Sequence, residues 1–240
     1  MSDTFFLVSA GRALDGAVSR LVHGLTAPPP PPGEEWNAAI GHYRAARETT
    51  AAIICDLSQE QADFAPANKV WSIGQNVEHL LLTETLYRTQ MRNMIDLAQK
   101  GGRTNIELTF DDIDTSIAFI PREVMPMFTV PLQVFNMFIP QAVRETMFRL
   151  PLIPAVNPTV SNPARSQPIA ELRLRSVSSL TATERIFRAE LPPNLMNMTL
   201  SHPILGTNNI VQIFGIITAH EERHHGQMRA VLSNPRFPRG

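Results

Sequence analysis

The stretch AHEERHHGQM, residues 219–228, brings three histidines and two glutamates together. Within it, His220-Glu221-Glu222-Arg223-His224 satisfies HExxH, the pattern in which two imidazoles one helical turn apart hold zinc and the glutamate acts as general base. A peptidase of that kind needs a third ligand, normally further along the chain. After His225 the remaining GQMRAVLSNPRFPRG contains no histidine, aspartate or glutamate. The pattern therefore points to a metal site without pointing to proteolysis, and a zinc peptidase survives only if an upstream acid supplies the missing ligand.

The element that must carry these residues is a helix over about 208–232. Ile213, Ile217, His220, His224, Gln227 and Val231 recur at spacings of three and four, so both histidines prolong an apolar stripe and point into a core. Two buried imidazoles one turn apart either share a metal or must each find a hydrogen-bond partner where few exist. Burial also lowers the pKa of an uncompensated imidazole, which keeps it neutral and able to ligate. The best-placed third ligand is His79, on a helix predicted from Ser72 to about Leu97, with Ser72 as cap and Gln75 reaching back as in a capping box. His42 is the reserve. His202 lies in an HPILG turn, where hydrogen bonding to loop backbone is the expected role. His225 sits one position round from the stripe and is expected on an exposed flank, outside the site. Glu221 is about 100° round the helix from His220, so it faces solvent unless it serves as base or as a partner behind a ligand. Arg223 is expected to pair with a helix acid or to cap a loop.

The rest of the chain reads as all-α. Residues 34–58 open with two acids suited to a helix start and carry Trp36, Ile40, Tyr43, Thr50, Ile54 and Leu57 on a rough stripe. A third core helix is predicted from near Ser166, with Pro168 in its first turn, where a missing amide costs little. Four long helices point to a four-helix bundle. Before it, Phe6, Ala10, Leu14, Ala17, Leu21 and Leu25 mark an amphipathic helix, and Pro28 to Pro32 form a stiff spacer. Residues 1–33 thus read as an appendage and 34–240 as the domain. Between the second and third core helices, about 101–165 is an apolar, proline-divided insertion. Its predicted helix from Leu132 to Arg149 would cover the core or a homodimer interface. FDDID at 110–114 lacks the glycine and terminal glutamate of a calcium loop and reads as a solvated turn.

Bulk properties narrow the partners. A net charge of -1 and a pI near 6.7 provide no basic field for a nucleic acid. The single cysteine, Cys55, cannot form an internal disulfide and is expected as a buried structural thiol. The first 26 residues do not read as a secretory signal, and no segment reaches the roughly 18 apolar residues of a membrane span. A cytoplasmic protein is the expectation.

Two motifs together carry a resemblance. WSIGQNVEHLLLTE, residues 71–84, followed much later by HEERHHGQM, residues 220–228, is similar to the DinB/YfiT-like superfamily of metal-dependent proteins. Trp71, Ser72 and His79 match W-[ST]-x-x-x-x-x-x-H, and His220, His224 and Gln227 match H-x-x-x-H-x-x-Q. The resemblance implies a four-helix bundle with a long connection between its second and third helices. It also implies a divalent metal held by His79, His220 and His224. The N-terminal helix and the apolar insertion are additions to that family core.

Three neutral imidazoles would leave an open position on the metal, the layout of a catalytic site. Zinc or nickel suits them best, with iron, copper or manganese as alternatives. Relatives within the superfamily use a small-molecule thiol as cosubstrate, so the resemblance implies a metal-dependent thiol S-transferase acting on a small-molecule substrate. The competing reading is a non-enzymatic, metal-stabilised bundle serving as a stress or interaction protein, favoured by the methionine-rich segment and the amphipathic N-terminus.

Overall fold

A computed structural model of the 240-residue chain describes residues 34–102, 105–108, 116–117, 155–156, 159–188, 192–202 and 205–239. The predicted appendage over 1–33, the helix from Leu132 to Arg149 and the FDDID turn lie outside these residues.

Among the described residues four long helices dominate: α1 (Glu34–Ile54), α3 (Ile73–Gln99), α4 (Ile169–Arg188) and α5 (Ile210–Leu232), with a short α2 (Gln59–Asp63). α1 packs on α4 and α5, and α3 packs on the same two. Their starts are written in local chemistry. Ser72 caps α3 through the Gln75 amide, 3.2 Å away, while the Gln75 side chain accepts from the Ser72 amide at 3.0 Å, which is the predicted capping box. Asn209 and Gln212 form the same box at α5. The first helix stops at Ile54 instead of running to Ser58, because Ser58 caps α2 with a box of its own through Gln61. Cys55 therefore falls just past the helix end. It is exposed and donates to the Ala52 carbonyl, which corrects the expectation of a buried thiol.

The fold is mostly helical, as expected, and short strands accompany the helices. β4 (Thr199–His202) lies between β1 (Asn105–Glu107), with which it is parallel, and β5 (Gly206–Asn209), with which it is antiparallel. A second pair joins β2 (Ser116–Ile117) to β3 (Ala155–Val156). At four residues or fewer and largely polar, these strands have too little alternation to register as a pattern. The β4–β5 hairpin matters because β5 leads straight into α5 and so sets where the histidine helix begins.

Among the described residues the core has two apolar clusters. One gathers Tyr43, Met91, Met94, Met198, Ile210, Phe214 and Ile217; the other gathers Ile54, Ile73, Val77, Leu80, Leu172, Met228 and Val231. On α5 the two are separated by residues 218–227, which include the whole HEERHH run. On α1 the same gap holds Arg47 and Thr50, both buried. The polar chemistry is thus a layer between two hydrophobic blocks, where each polar group must find a protein partner.

Candidate metal centre

His79 from α3 and His220 and His224 from α5 converge. His79 Nε2 and His224 Nε2 each stand 3.2 Å from His220 Nε2, and the three ligating atoms lie within 4.8 Å of one another. His79 and His224 are buried and His220 half-buried. The outward nitrogens are already engaged. His79 Nδ1 lies 2.7 Å from the Ser161 carbonyl, which can only accept, so Nδ1 carries the proton. His224 Nδ1 lies 2.7 Å from Asn76 Oδ1. The Asn76 amide nitrogen donates to the Ser72 carbonyl at 2.8 Å, which turns the amide oxygen towards His224 and makes that Nδ1 a donor too. Both Nε2 atoms therefore point lone pairs at His220, whose own Nε2 has at most one proton to offer. Two inward lone pairs and one shared proton leave the centre short of positive charge, so the donor set fits a cation. The 3.2 Å spacings also match the roughly 3.3 Å edge of a tetrahedron with nitrogen ligands at about 2.0 Å.

Electrostatics keep the set neutral. Burial, opposed in part by the Ser161 hydrogen bond, holds His79 below the ordinary imidazole range. His220 and His224 are held well below it, first by burial and then by the charge of their neighbours, including Arg223. Trp71 closes one side, with its ring centroid 4.9 Å from that of His79 and stacked on His224 at 6.1 Å and 15°. Glu78 accepts from the Ala164 amide at 2.6 Å and so pins the segment that presents the Ser161 carbonyl. A cleft of about 450 Å³ opens beside the triad, and Trp71, Asn76, His224, Arg223 and Gln227 help to line it.

A family model described as the DinB superfamily matches residues 42–228, most of the chain. The chain belongs to the DinB superfamily. No curated protein matches it, and no solved structure does. In this DinB chain both motif histidine groups meet at one point, although 141 residues separate His79 from His220.

Three sequence expectations change here, and the reserve ligand goes unused. His42 is exposed on α1 and takes no part in the triad. His225 is buried, not on an open flank, and its Nε2 lies 2.9 Å from Thr50 Oγ1. Glu221 is fully buried and does not meet solvent: it accepts from Thr50 at 2.5 Å and faces Arg47 Nε at 3.2 Å. Arg223 has no hydrogen-bond or ion-pair partner among the described residues, and its Nε is buried. The reason is common to three of them. α5 is covered by α1 as well as α3, so residues flanking the stripe are enclosed too, and α1 offers Arg47 and Thr50 in return. His202 behaves as expected, its Nδ1 accepting from the Leu205 amide at 3.1 Å.

Asn76 and Ser161 were not identified from sequence. Asn76 had a usable signal, lying three residues before His79 on the same helical face. Ser161 had none, because its backbone carbonyl does the work and any residue supplies one. The Asn76→Ala protein is expected to fold and to bind metal about 10–100-fold more weakly, as measured by competition with a chromophoric chelator, since His224 would lose the partner that fixes its tautomer.

Two imidazoles outside the triad predict acid sensitivity. Burial pushes His202 down to about 3, and His225 down to about 4 with help from the Arg229 and Arg47 charges. An unfolded imidazole titrates near 6.5, so on acidification the unfolded chain takes up these protons first. Stability is fully present above about pH 6.5. It falls between there and about 4 for His225 and about 3 for His202, by at most roughly 1.4 kcal/mol per pH unit for each group. Urea midpoints of metal-free protein at a series of pH values from neutral down to mildly acidic should fall progressively, and a flat profile would contradict both assignments.

Proposed function

We propose that this DinB protein is a metal-dependent enzyme in which His79, His220 and His224 hold one divalent cation, zinc or nickel, and a small thiol is the cosubstrate of a transfer reaction. The observation that carries the reading is the cleft: His224 belongs both to the triad and to the cleft wall, so a small molecule held in the cleft would lie against one of the three ligand rings. A bound cation with an open position would lower the pKa of a thiol or water there and so supply a nucleophile near neutral pH.

The chain's own residues contribute orientation and exclusion. Ser161 and Asn76 hold two imidazoles in the tautomer that turns Nε2 inward. Trp71 packs against the His79 and His224 rings and restricts how they can turn. Glu221 supplies no base, because its carboxylate is enclosed and held by Thr50 and Arg47, and this also argues against the HExxH peptidase. In this reading the domain is the DinB-type four-helix bundle spanning 34–240 with an insertion at about 101–165, and it works as a cytoplasmic homodimer.

The test is consumption of glutathione or free cysteine in the presence of an aryl halide, followed with a thiol reagent, for wild type beside His79→Ala. Consumption that disappears in the variant supports the transferase. Stoichiometric metal without thiol consumption would leave the metal-stabilised, non-enzymatic bundle.

A further inference from the structure

The wall of the triad cleft holds a charge that no described residue balances. Every other buried or half-buried arginine among the described side chains has acceptors. Arg47 meets Glu84 and Glu221, Arg88 meets Ser179, Thr183 and Glu84, Arg173 donates to the Ile54 and Leu57 carbonyls, and Arg175 faces Glu78 and Glu171. Arg223 is half-buried with no partner among the described residues, and its Nε is out of reach of solvent. A guanidinium partly withdrawn from water, with an enclosed Nε that lacks an acceptor, is unfavourable, and an anion bound in the cleft would offset that cost.

A second cation lines the same cleft. Lys69 is exposed, without a partner among the described residues, and it adopts φ 65°, the left-handed region that a lysine seldom occupies. That backbone turn sits two residues before Trp71, and such conformations persist where the surroundings enforce them, often at ligand sites. No acidic residue is among the described residues that line the cleft. The remaining wall is largely apolar, with Val70, Trp71, Ala230 and Val231, and the volume suits one small molecule.

We propose that Arg223 and Lys69 form a carboxylate-binding subsite in the cleft wall, so that the substrate is a small organic acid whose apolar body lies along Trp71 with its reacting end at the triad. The planar guanidinium fork matches a carboxylate, and the flexible ammonium adds a point charge at the rim. This substrate class rests on the reading that the cleft serves the triad, but the subsite itself can be tested without metal.

The experiment is saturation-transfer NMR on the full-length chain at neutral pH, both metal-free and zinc-loaded, with benzoate, benzamide and phenyl phosphate as probes. Benzoate should bind about tenfold more tightly than benzamide in both samples, the difference that a charge-assisted hydrogen bond supplies. Arg223→Gln should erase the preference while keeping its zinc, and Lys69→Gln, at an exposed position that cannot compromise folding, should reduce it. Equal binding of benzoate and benzamide overturns the proposal. So does a preference confined to the zinc-loaded sample that survives Arg223→Gln, because the carboxylate would then be meeting the metal. Tighter binding of phenyl phosphate than benzoate, lost in Arg223→Gln, overturns the carboxylate assignment in favour of a phosphate. Benzoate selectivity in a protein that takes up no zinc would sustain the subsite and sink the metal-dependent function, so the two failures are distinguishable.

Discussion

Near-stoichiometric divalent metal in the gently purified protein, and its loss in each of His79→Ala, His220→Ala and His224→Ala, is the expected result of elemental mass spectrometry. Removing one imidazole leaves two ligands and an unfilled space lined by Trp71 and the remaining rings. The affinity loss should exceed the roughly 10–100-fold that follows from losing an outer hydrogen-bond partner. Each variant should still fold, because the two apolar clusters do not depend on the triad for their packing. His225→Ala is the informative control: its ring is turned to Thr50, so metal content should be unchanged although the residue adjoins His224. Metal that persists in His79→Ala would break the three-histidine assignment, since His79 is the ligand of the triad that α3 supplies.

The second large effect concerns stability and lies on the other side of α5. Glu84 accepts hydrogen bonds from Tyr43, from Arg47 at 2.9 Å, from Ser179 at 2.5 Å and from Thr183 at 2.6 Å. Glu221 joins the same network through Arg47 and Thr50. These groups come from all four long helices, and Tyr43, Arg47, Thr50, Glu84, Thr183 and Glu221 are buried. Arg47→Met would leave Glu221 enclosed with no cation beside it, and Glu84 with only Arg88, 3.5 Å away. Breaking a buried pair from one side costs about 3–5 kcal/mol, a large part of the margin of an ordinary domain. Denaturant unfolding at neutral pH should show that loss. Burial already pushes the Glu221 carboxyl up, against the opposing pull of Arg47. Without the arginine it should take up a proton more readily, so the deficit should shrink as the pH falls. A loss below about 1 kcal/mol would mean that the network is no stronger than a surface pair.

The network has a bearing on the site. It clamps the α5 turn that follows His220, and on α3 it grips Glu84, five residues beyond His79. Both ligand-bearing helices are therefore gripped close to their ligands. A layer of matched polar groups between two hydrophobic blocks penalises any slip of one helix along another, because a slip of one turn would bury unpaired charge. The position of His79 relative to His220 is held by this register as much as by apolar packing.

Much of this was legible in the sequence because it is local. The Ser72 capping box needs residues three apart, the α5 stripe is a matter of helical period, and the missing downstream acid was visible by inspection. The two motifs could be read as one pair because each histidine sits on a face that a helix must bury. What the sequence alone did not determine is what lies opposite each face. Whether Glu221, His225 and Arg223 meet water, α1 or a cleft depends on which helices cover α5, and those contacts join residues more than a hundred positions apart. The strands of β4 and β5 were hidden because their pairing partners, not their own pattern, make them strands. Local periodicity determined which residues face inward on each helix; only the packing of the helices decided that three histidines share one point, that Glu221 is spent on Arg47, and that Arg223 is left facing a cleft without a partner among the described residues.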